Sequence, residues 1–264
     1  MNIVILTGNQ YRHKYFANTI NKVFPVEAIF SEGKVFNPSG ESSEDKKLSH
    51  PEKALWDWHF GLAKKEEENF FGANKEFVCE KVFEVPKGEV NSALWVDKIS
   101  SLNPDVVVVY GTSLLKEETI SRFPQIINMH LGLSPYYRGS GTNFWPLYNN
   151  EPQYVGVTIH KIDCGIDTGE IIHQGRPKIE KGNNQHVIGN KTIEVGTDLM
   201  IQAIKEFSEG SLKSFPQSGK GKLYQRKDFN ISHVEHLKDL MEGGMIDSYV
   251  DKNVHDQIKV DIIK

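Results

Sequence analysis

Residues 105–113 read DVVVVYGTS, and this stretch decides the fold class of the chain. Its four consecutive valines are β-branched and fall on both faces of an extended strand, which predicts a strand buried on both sides. Strands of this kind are typical of parallel sheets whose two faces are covered by helices. The Gly-Thr-Ser that follows Tyr110 ends the strand and begins a loop.

The N-terminal segment carries a similar signature. Residues 3–6 form an apolar run that ends in Thr7-Gly8-Asn9, residues 12–24 have helical spacing, and residues 26–30 are predicted to form a second strand. A strand, a helix and a strand at this spacing indicate a βαβ unit. The sequence therefore predicts an α/β fold with a Rossmann-like, mostly parallel sheet flanked by helices and a small C-terminal extension.

The rest of the chain is expected to divide into a catalytic domain and an extension. We place the catalytic domain at residues 1–210, with an insertion at about 32–74, and the extension at residues 211–264. Periodicity and capping residues predict helices at 54–71, 91–102 (capped by Asn91), 116–122, 144–148, 187–207 and 234–241. They predict strands at 126–130, 155–162 and 170–174, and they predict that the last two pair with each other. One further strand is expected, at either 77–79 or 82–85.

Composition excludes several classes of protein. The chain has 264 residues, 38% of them hydrophobic, and a formal net charge of −4, so it has material for a core and no strongly basic character. Cys79 and Cys164 stand far apart, which argues against a disulfide framework or a thiolate zinc site. The N-terminus does not resemble a signal peptide, and no stretch approaches the roughly 20 apolar residues of a membrane helix. We therefore expect a cytoplasmic protein without a nucleic-acid or membrane partner.

Polar residues follow the predicted strands where a ligand of an open α/β sheet is expected. Asn128 and His130 end the strand at 126–130, and side chains two apart on a strand share one face. An imidazole can take or give a proton near neutral pH, and a carboxamide can donate to an oxygen that becomes negative. The pair suits attack on a carbonyl through a tetrahedral intermediate, although an isolated Asn-x-His is more often an ordinary strand end.

A second segment, VGVTIHKIDCGIDTGEIIHQ at residues 155–174, places two carboxylates in a tight loop between two apolar runs. A carboxylate from this loop, at Asp163 or Asp167, would fix the tautomer of His130 and raise its pKa. The loop also resembles a calcium-binding loop, but it offers only two or three carboxylates and lacks the complete EF-hand pattern. We therefore expect no metal.

Together these motifs resemble the formyltransferase family that uses 10-formyltetrahydrofolate. The resemblance rests on the Asn-x-His of residues 128–130, the Ser-Pro-x-x-Arg-Gly of residues 134–139 and the segment at 156–172, and it is clear over residues 100–175. That family includes methionyl-tRNA, glycinamide ribonucleotide and amino-sugar formyltransferases. The resemblance implies that Asn128, His130 and Asp167 are catalytic. A primary amine would attack the formyl carbon, Asn128 and protonated His130 would stabilise the oxyanion, and Asp167 would orient His130 or a relay water.

The resemblance also implies where the co-substrate binds. The folate of 10-formyltetrahydrofolate is expected between the loop that follows Tyr110 and the acidic loop at 163–167. The residues expected to contact it are Gly111, Thr112, Ser113, Leu114, Leu115, Asp163 and Gly165.

Three acceptors are known in the family, and the sequence favours an amino sugar. The turn after the first strand has one Gly, where the glycinamide ribonucleotide enzymes carry a Gly-rich phosphate loop. The segment from Ser211 is about 54 residues, too few for the C-terminal barrel of the tRNA enzymes. We therefore expect an amino sugar, carried on a nucleotide for surface glycan synthesis. Candidate substrate-binding residues are Arg12, His13, Lys14, Tyr136, Arg138, Asn143 and Trp145, with Tyr224 and Arg226 helping to order the site.

Alternatives stay open at this point. Hydrolysis of 10-formyltetrahydrofolate, formylation of methionyl-tRNA or glycinamide ribonucleotide, and a non-catalytic binding role are each compatible with the motifs. A homodimer is also possible through Trp56, Trp58 and the C-terminal helix.

Overall fold

The computed structural model describes residues 1–33, 49–256 and 262–263. Within these residues, seven strands form one sheet. Two short strands pair separately. The nine strands are β1 (Ile3–Thr7), β2 (Val26–Glu32), β3 (Val82–Val85), β4 (Val106–Tyr110), β5 (Ile126–His130), β6 (Tyr137–Gly139), β7 (Val157–Lys161), β8 (Ile171–Gly175) and β9 (Lys222–Tyr224).

The main sheet is mostly parallel, which confirms the predicted fold class. Its order is β3-β2-β1-β4-β5-β7-β8, and the five strands from β3 to β5 are parallel. β7 runs antiparallel to β5, and β8 runs antiparallel to β7, as expected for the pairing of residues 155–162 with 170–174. The carboxyl ends of β1, β4 and β5 therefore meet at one edge of the sheet.

β4 lies at the centre because its alternating side chains enter two different cores. Val106, Val108 and Tyr110 belong to the cluster under helices α1 (Tyr11–Val23) and α6 (Gln185–Ser208). Val107 and Val109 belong to the cluster on the opposite face, under α3 (Ala93–Ser100). All five residues are buried, as the run of valines predicts.

The predicted insertion contains a helix that connects β2 to β3. This helix, α2 (His50–Phe71), begins at Ser49, whose hydroxyl and backbone N–H both bond to the Glu52 carboxylate. α2 packs on α1 and α6 rather than directly on the sheet, and it buries Phe71 in the core beneath them. Part of the predicted insertion, residues 34–48, lies outside the described residues.

The prediction that Asn91 caps a helix was wrong. Asn91 ends a short 3₁₀ turn (Glu89–Asn91), and α3 begins two residues later, at Ala93, with Ser92 as its N-cap. The Asn91 side chain instead donates to the Leu114 carbonyl at 2.9 Å and accepts from the Lys116 N–H at 2.8 Å. It therefore fastens the loop after β4, which leads into the short helix α4 (Glu117–Ile120).

The C-terminal segment packs closely on the rest of the chain. β9 pairs in parallel with β6, and α7 (Ile231–Glu242) packs on α2 and on the short helix α5 (Trp145–Tyr148). A last helix, α8 (Met245–Asp256), packs on α7. The sequence analysis missed β6, β9 and α8, and the domain boundary at residue 210 stays a prediction. Among the described residues, no helix combines the length and apolarity needed to cross a membrane.

A buried histidine of α2, His59, faces a partly buried histidine of α6, His186. The rings of His59 and His186 have centroids 4.7 Å apart, and Phe144 and Phe229 lie against His59. Burial lowers the pKa of His59 to about 4. The pKa of His186 is lowered to about 3, mainly by burial and to a smaller extent by the neighbouring His59. Both imidazoles are therefore neutral at pH 7 in the folded protein.

This pair predicts acid sensitivity. Because the pKa of His59 falls from 6.5 to about 4 on folding, its contribution to stability is complete above pH 6.5 and is lost as the pH falls towards 4. At pH 5 we expect the free energy of unfolding to be about 2 kcal/mol lower than at pH 7.5 from His59 alone. His59→Phe should remove that part of the difference in urea unfolding, whereas His50→Gln, at the exposed start of α2, should retain it. An equal pH dependence in the His59→Phe variant would contradict this assignment.

Candidate active site

β5 and β7 together place three polar side chains on one wall. Asn128 and His130 end β5 with their side chains on the same face, as the two-residue spacing requires. The antiparallel register sets His160 of β7 directly opposite Asn128. The Asn128 Nδ2 atom lies 3.0 Å from His160 Nε2.

The loop between β7 and β8 brings Asp167 to the same wall. Asp167 has a left-handed backbone with a φ of 51°, and its Oδ2 accepts from the Gly139 N–H at 2.9 Å. Glycine is needed at position 139 because its φ is 92° and a Cβ there would lie 2.0 Å from the Tyr224 carbonyl oxygen. Asp163 shapes the same loop by accepting from the Gly165 N–H and the Thr168 hydroxyl.

The Asp167 carboxylate lies between two imidazoles. Its Oδ2 is 3.3 Å from His130 Nδ1, and its Oδ1 is 3.6 Å from His160 Nε2. The other nitrogen of each ring faces a backbone carbonyl: His130 Nε2 lies 3.1 Å from the Tyr137 oxygen, and His160 Nδ1 lies 2.7 Å from the Lys161 oxygen. The amide, the imidazole and the acid singled out in the sequence therefore converge.

The electrostatics of His130 correct one expectation. Burial lowers the pKa of the His130 imidazole, and the Asp167 carboxylate opposes this effect without reversing it. We expected the carboxylate to raise that pKa, and the desolvation of a fully buried ring is the larger effect. Yet both nitrogens of the His130 ring face hydrogen-bond acceptors. Only the protonated ring carries a hydrogen on each nitrogen and can donate to both acceptors. Burial and hydrogen bonding thus act in opposite directions on one proton.

Asp167 itself is held as a carboxylate. Its burial favours the neutral acid, but the adjacent His130 and His160 rings and the Gly139 N–H outweigh that effect and hold its pKa below the usual range for Asp. A carboxylate that accepts backbone and imidazole hydrogen bonds is stabilised in its charged form. Asp167 is therefore ionised at neutral pH.

A cavity of about 750 Å³ opens in front of this group, and Asn128, His130, His160 and Asp167 line it. The residues predicted to bind the folate also line it: Gly111, Thr112, Ser113, Leu114, Leu115, Asp163 and Gly165. The loop after β4 is anchored by Glu32, which is 2% exposed and accepts from the Ser113 N–H at 2.5 Å and the Gly88 N–H at 2.8 Å. The role of these residues in folate binding stays a prediction.

His160 and Gln217 were not predicted from the sequence as site residues. His160 could have been identified, because the side chains of a predicted strand alternate between its two faces, so that His160 faces away from Ile159 and Lys161, and this strand leads into the acidic loop. Gln217 gave no such signal, since it belongs to the extension and reaches Asp167 across 50 positions in the sequence. Its Nε2 donates to the Asp167 carbonyl at 2.9 Å and to the Gly169 carbonyl at 2.7 Å.

The start of α1 is already occupied by an acidic side chain. Arg12 and His13 line the cavity, but the Arg12 N–H donates to Glu67 Oε1 at 3.0 Å, and the Arg12 guanidinium pairs with Glu67 Oε2. The His13 ring accepts from the Gln10 N–H at 3.2 Å. At the start of α1, where the sequence places the candidate substrate-binding residues Arg12, His13 and Lys14, Arg12 is therefore already paired with α2 of the same chain.

The other candidate substrate residues are divided. Asn143 lines the cavity, whereas Lys14, Tyr136, Arg138 and Trp145 are absent from its lining within the described residues. Trp145 is 3% exposed, and its indole N–H donates to the Ser140 carbonyl at 3.0 Å, so its part is packing. Lys14 pairs with Glu76 and lines a separate cavity, and Arg138 donates to the Lys220 carbonyl.

The extension supplies part of the cavity wall. Tyr224, Gln225 and Arg226 line the cavity, and the Tyr224 ring stacks on Trp145 with centroids 4.2 Å apart and planes 8° apart. Trp145 thus supports a cavity residue instead of facing the cavity.

Comparison with known proteins identifies the family. The profile described as formyl transferase matches residues 61–204, which are 144 of the 264 residues. The chain belongs to the formyl transferase family. Among sequence relatives, the methionyl-tRNA formyltransferase of Thermodesulfovibrio yellowstonii is 38% identical over 129 residues, covering 47% of this chain and 41% of that protein. That of Clostridioides difficile is 31% identical over 119 residues, covering 44% and 38%. This formyl transferase chain thus spans less than half the length of the curated relatives that it matches.

Solved structures share the fold over most of the chain. A sugar N-formyltransferase from a Shewanella species has a TM-score of 0.59 and 18% identity, covering 91% of this chain and 88% of that one. An N-formyltransferase from Helicobacter canadensis, solved with folinic acid and dTDP-3-aminofucose, has a TM-score of 0.56 and 20% identity, covering 90% and 79%. Glycinamide ribonucleotide transformylase 1 from Symbiobacterium toebii has a TM-score of 0.55 and 16% identity, covering 83% and 94%. At these identities the likeness shows the fold of the family, and it does not select an acceptor.

The two hydrogen bonds from Gln217 predict a measurable effect on stability. Gln217→Leu keeps the length of the side chain but leaves the Asp167 and Gly169 carbonyls without a donor, and we expect the free energy of unfolding to fall by about 1–3 kcal/mol. Gln202→Leu, on the exposed face of α6, is the matched control and should change it by less than about 0.5 kcal/mol. Equal denaturant midpoints for the two variants would show that Gln217 does not hold the acidic loop.

Proposed function

We propose that the protein transfers a formyl group from 10-formyltetrahydrofolate to the primary amine of a nucleotide-linked amino sugar, in the synthesis of a surface glycan. One observation carries the proposal: the Asp167 carboxylate lies 3.3 Å from His130 on a cavity wall that also holds Asn128. An amide donor, a titratable ring and a carboxylate are the groups that acyl transfer to an amine needs. Membership of the formyl transferase family supports the same reaction class.

The proposed reaction begins when the amine nitrogen attacks the formyl carbon, whose oxygen becomes an oxyanion. The Asn128 Nδ2 donates to that oxygen. The His130 ring, held at Nδ1 by Asp167, gives up its contact with the Tyr137 carbonyl to accept the proton lost by the amine. Collapse of the tetrahedral intermediate breaks the bond between the formyl carbon and N10 of the folate, and N10 receives a proton. The products are a formamide and tetrahydrofolate.

The cavity supports a folate as the donor. The loop at 111–115 and the acidic loop at 163–167 form walls of one cavity of about 750 Å³, within the range of small-molecule sites. The Helicobacter canadensis structure, which shares the fold, contains folinic acid. We place the folate between the two loops, with its formyl group towards Asn128 and His130.

The acceptor side of the cavity favours a sugar. Tyr224, which stacks on Trp145, lines the cavity, and aromatic rings are groups on which sugar rings and bases pack. The Asn143 Nδ2 atom is buried at the cavity and makes no hydrogen bond to any described residue, so it is a donor for an oxygen of the acceptor. These features suit a small polar ring.

Methionyl-tRNA is the second candidate, because the two sequence relatives described above carry that name. Charge argues against it. The formal net charge of the chain is −4, and the charged cavity residues include Arg12, which is already paired with Glu67, and Arg226, against Asp163 and Asp167. Binding of a nucleic acid depends on a surplus of cations facing its phosphates. Hydrolysis of the folate, with water in place of the amine, is the third candidate.

A panel of acceptors tests the proposal. The protein is incubated with 10-formyltetrahydrofolate alone or with nucleotide-linked amino sugars, glycinamide ribonucleotide or methionyl-tRNA, while tetrahydrofolate is followed by absorbance and the acceptor by mass spectrometry. We expect equal amounts of tetrahydrofolate and formylated sugar, and little release without an acceptor. Release without any amine would identify a hydrolase, and formylation of methionyl-tRNA alone would overturn the choice of acceptor.

The catalytic assignment makes a separate prediction. Asn128→Ala and His130→Ala should each lower kcat by on the order of a hundredfold or more, because each removes a group that acts on the developing charge. Their combined effect should be smaller than the product of the two, since the groups act on one intermediate. Thermal unfolding and folate binding of the variants serve as controls. A folded His130→Ala variant with a near-normal kcat would refute the mechanism.

A further inference from the structure

We infer that His160 is a positioning residue that fixes the orientation of the Asn128 carboxamide. The inference rests on the proposed function for its kinetic part and on the geometry of β5 and β7 for the rest. It assigns a role to a side chain that lies at the cavity wall beside the proposed catalytic residues.

The tautomer of His160 follows from its neighbours. Its Nδ1 lies 2.7 Å from the carbonyl oxygen of Lys161, which can only accept, so Nδ1 carries the hydrogen. In the neutral ring Nε2 then bears a lone pair. Nε2 lies 3.0 Å from Asn128 Nδ2, and it accepts one of the two hydrogens on that nitrogen.

This bond selects one of two orientations of the amide. A carboxamide can turn over so that its oxygen and nitrogen exchange places, at little steric cost. If Asn128 turned over, its Oδ1 would face the lone pair of Nε2, and two acceptors would lie in contact. His160 therefore holds the NH₂ group in place. One hydrogen of Nδ2 goes to His160, and the second stays available for the formyl oxygen.

The backbone makes this arrangement rigid. Asn128 and His160 are directly opposed in the antiparallel pair of β5 and β7, where the separation of the two side chains is set by the sheet. His160 is 2% exposed, and its Nε2 also lies 3.6 Å from Asp167 Oδ1. The ring therefore stands between the proposed oxyanion donor and the carboxylate that orients His130.

Two substitutions separate positioning from packing. His160→Phe keeps a flat ring and removes the acceptor, so kcat should fall by on the order of ten- to a hundredfold while the KM for 10-formyltetrahydrofolate changes by less than about twofold. His160→Gln restores an acceptor oxygen near the place of Nε2, and it should recover most of that kcat. A loss caused by packing alone would not be recovered by the more polar, non-aromatic side chain.

His173 provides the matched control. It is buried on the neighbouring strand β8, opposite Ile159, and contacts Glu206 of α6 at 2.9 Å, away from the residues that line the cavity. His173→Phe removes an imidazole from the same sheet and should leave kcat within about twofold of the unsubstituted protein. A kcat as low in the His173→Phe variant as in His160→Phe would overturn the inference.

A measurement on the unsubstituted protein tests the hydrogen bond without any catalysis. In ¹⁵N-labelled protein, the bond predicts a scalar coupling across the hydrogen bond between Asn128 ¹⁵Nδ2 and His160 ¹⁵Nε2, with the Asn128 signals identified by their loss in Asn128→Asp. Observation of the coupling supports the positioning role even if no acceptor is formylated, in which case the proposed function fails by itself. Absence of the coupling at pH 7.5, or a His160→Phe variant with an unchanged kcat, would overturn the inference.

Discussion

The structure of the site depends on one buried carboxylate. A carboxylate removed from water is costly unless donors surround it, and Asp167 accepts from the Gly139 N–H of β6 and contacts the His130 imidazole of β5. The His160 ring of β7 lies 3.6 Å from its other oxygen. The backbone of Asp167 is held in a left-handed conformation by Gln217 from the extension. Satisfying this one side chain therefore ties the small sheet of β6 and β9, the acidic loop and the C-terminal segment to the edge of the main sheet.

The same carboxylate gives His130 its chemical character. Burial favours the neutral ring, while Asp167 and the Tyr137 carbonyl favour the cation. Both effects act on the same ring, and the proposed mechanism needs a group that takes a proton in one step and releases it in the next. A ring in the same sheet without a carboxylate would stay neutral, and an exposed ring beside a carboxylate would hold its proton more firmly.

The parts of the site that depend on local sequence pattern could be predicted from the sequence. Four valines at 106–109 predicted a strand buried on both faces, and the spacing of Asn128 and His130 predicted a shared face. Contacts that depend on the pairing register of two strands, or on segments distant in the sequence, could not be predicted in this way. His160 meets Asn128 only because β7 pairs with β5 at one particular register, and Gln217 meets Asp167 from the far end of the chain. The prediction that Trp145 contacts the substrate fails for a related reason. Trp145 lies close in sequence to Asn128 and His130, but Tyr224 from the extension stacks on its ring.

The position of Glu67 bears on how an acceptor would be recognised. The first turn of α1, with its backbone N–H groups and Arg12, is where an α/β fold usually offers a site for a phosphate. Here a carboxylate of α2 already accepts from that backbone and pairs with that guanidinium. A phosphate binding there would have to displace an ion pair and leave Glu67 without its donors. The polar and aromatic groups left to contact an acceptor include Asn143, Tyr224 and Arg226, which line the same cavity. This arrangement favours recognition of the acceptor by the segment after β5 and by the extension, so differences in acceptor between related chains are expected to concentrate in those segments.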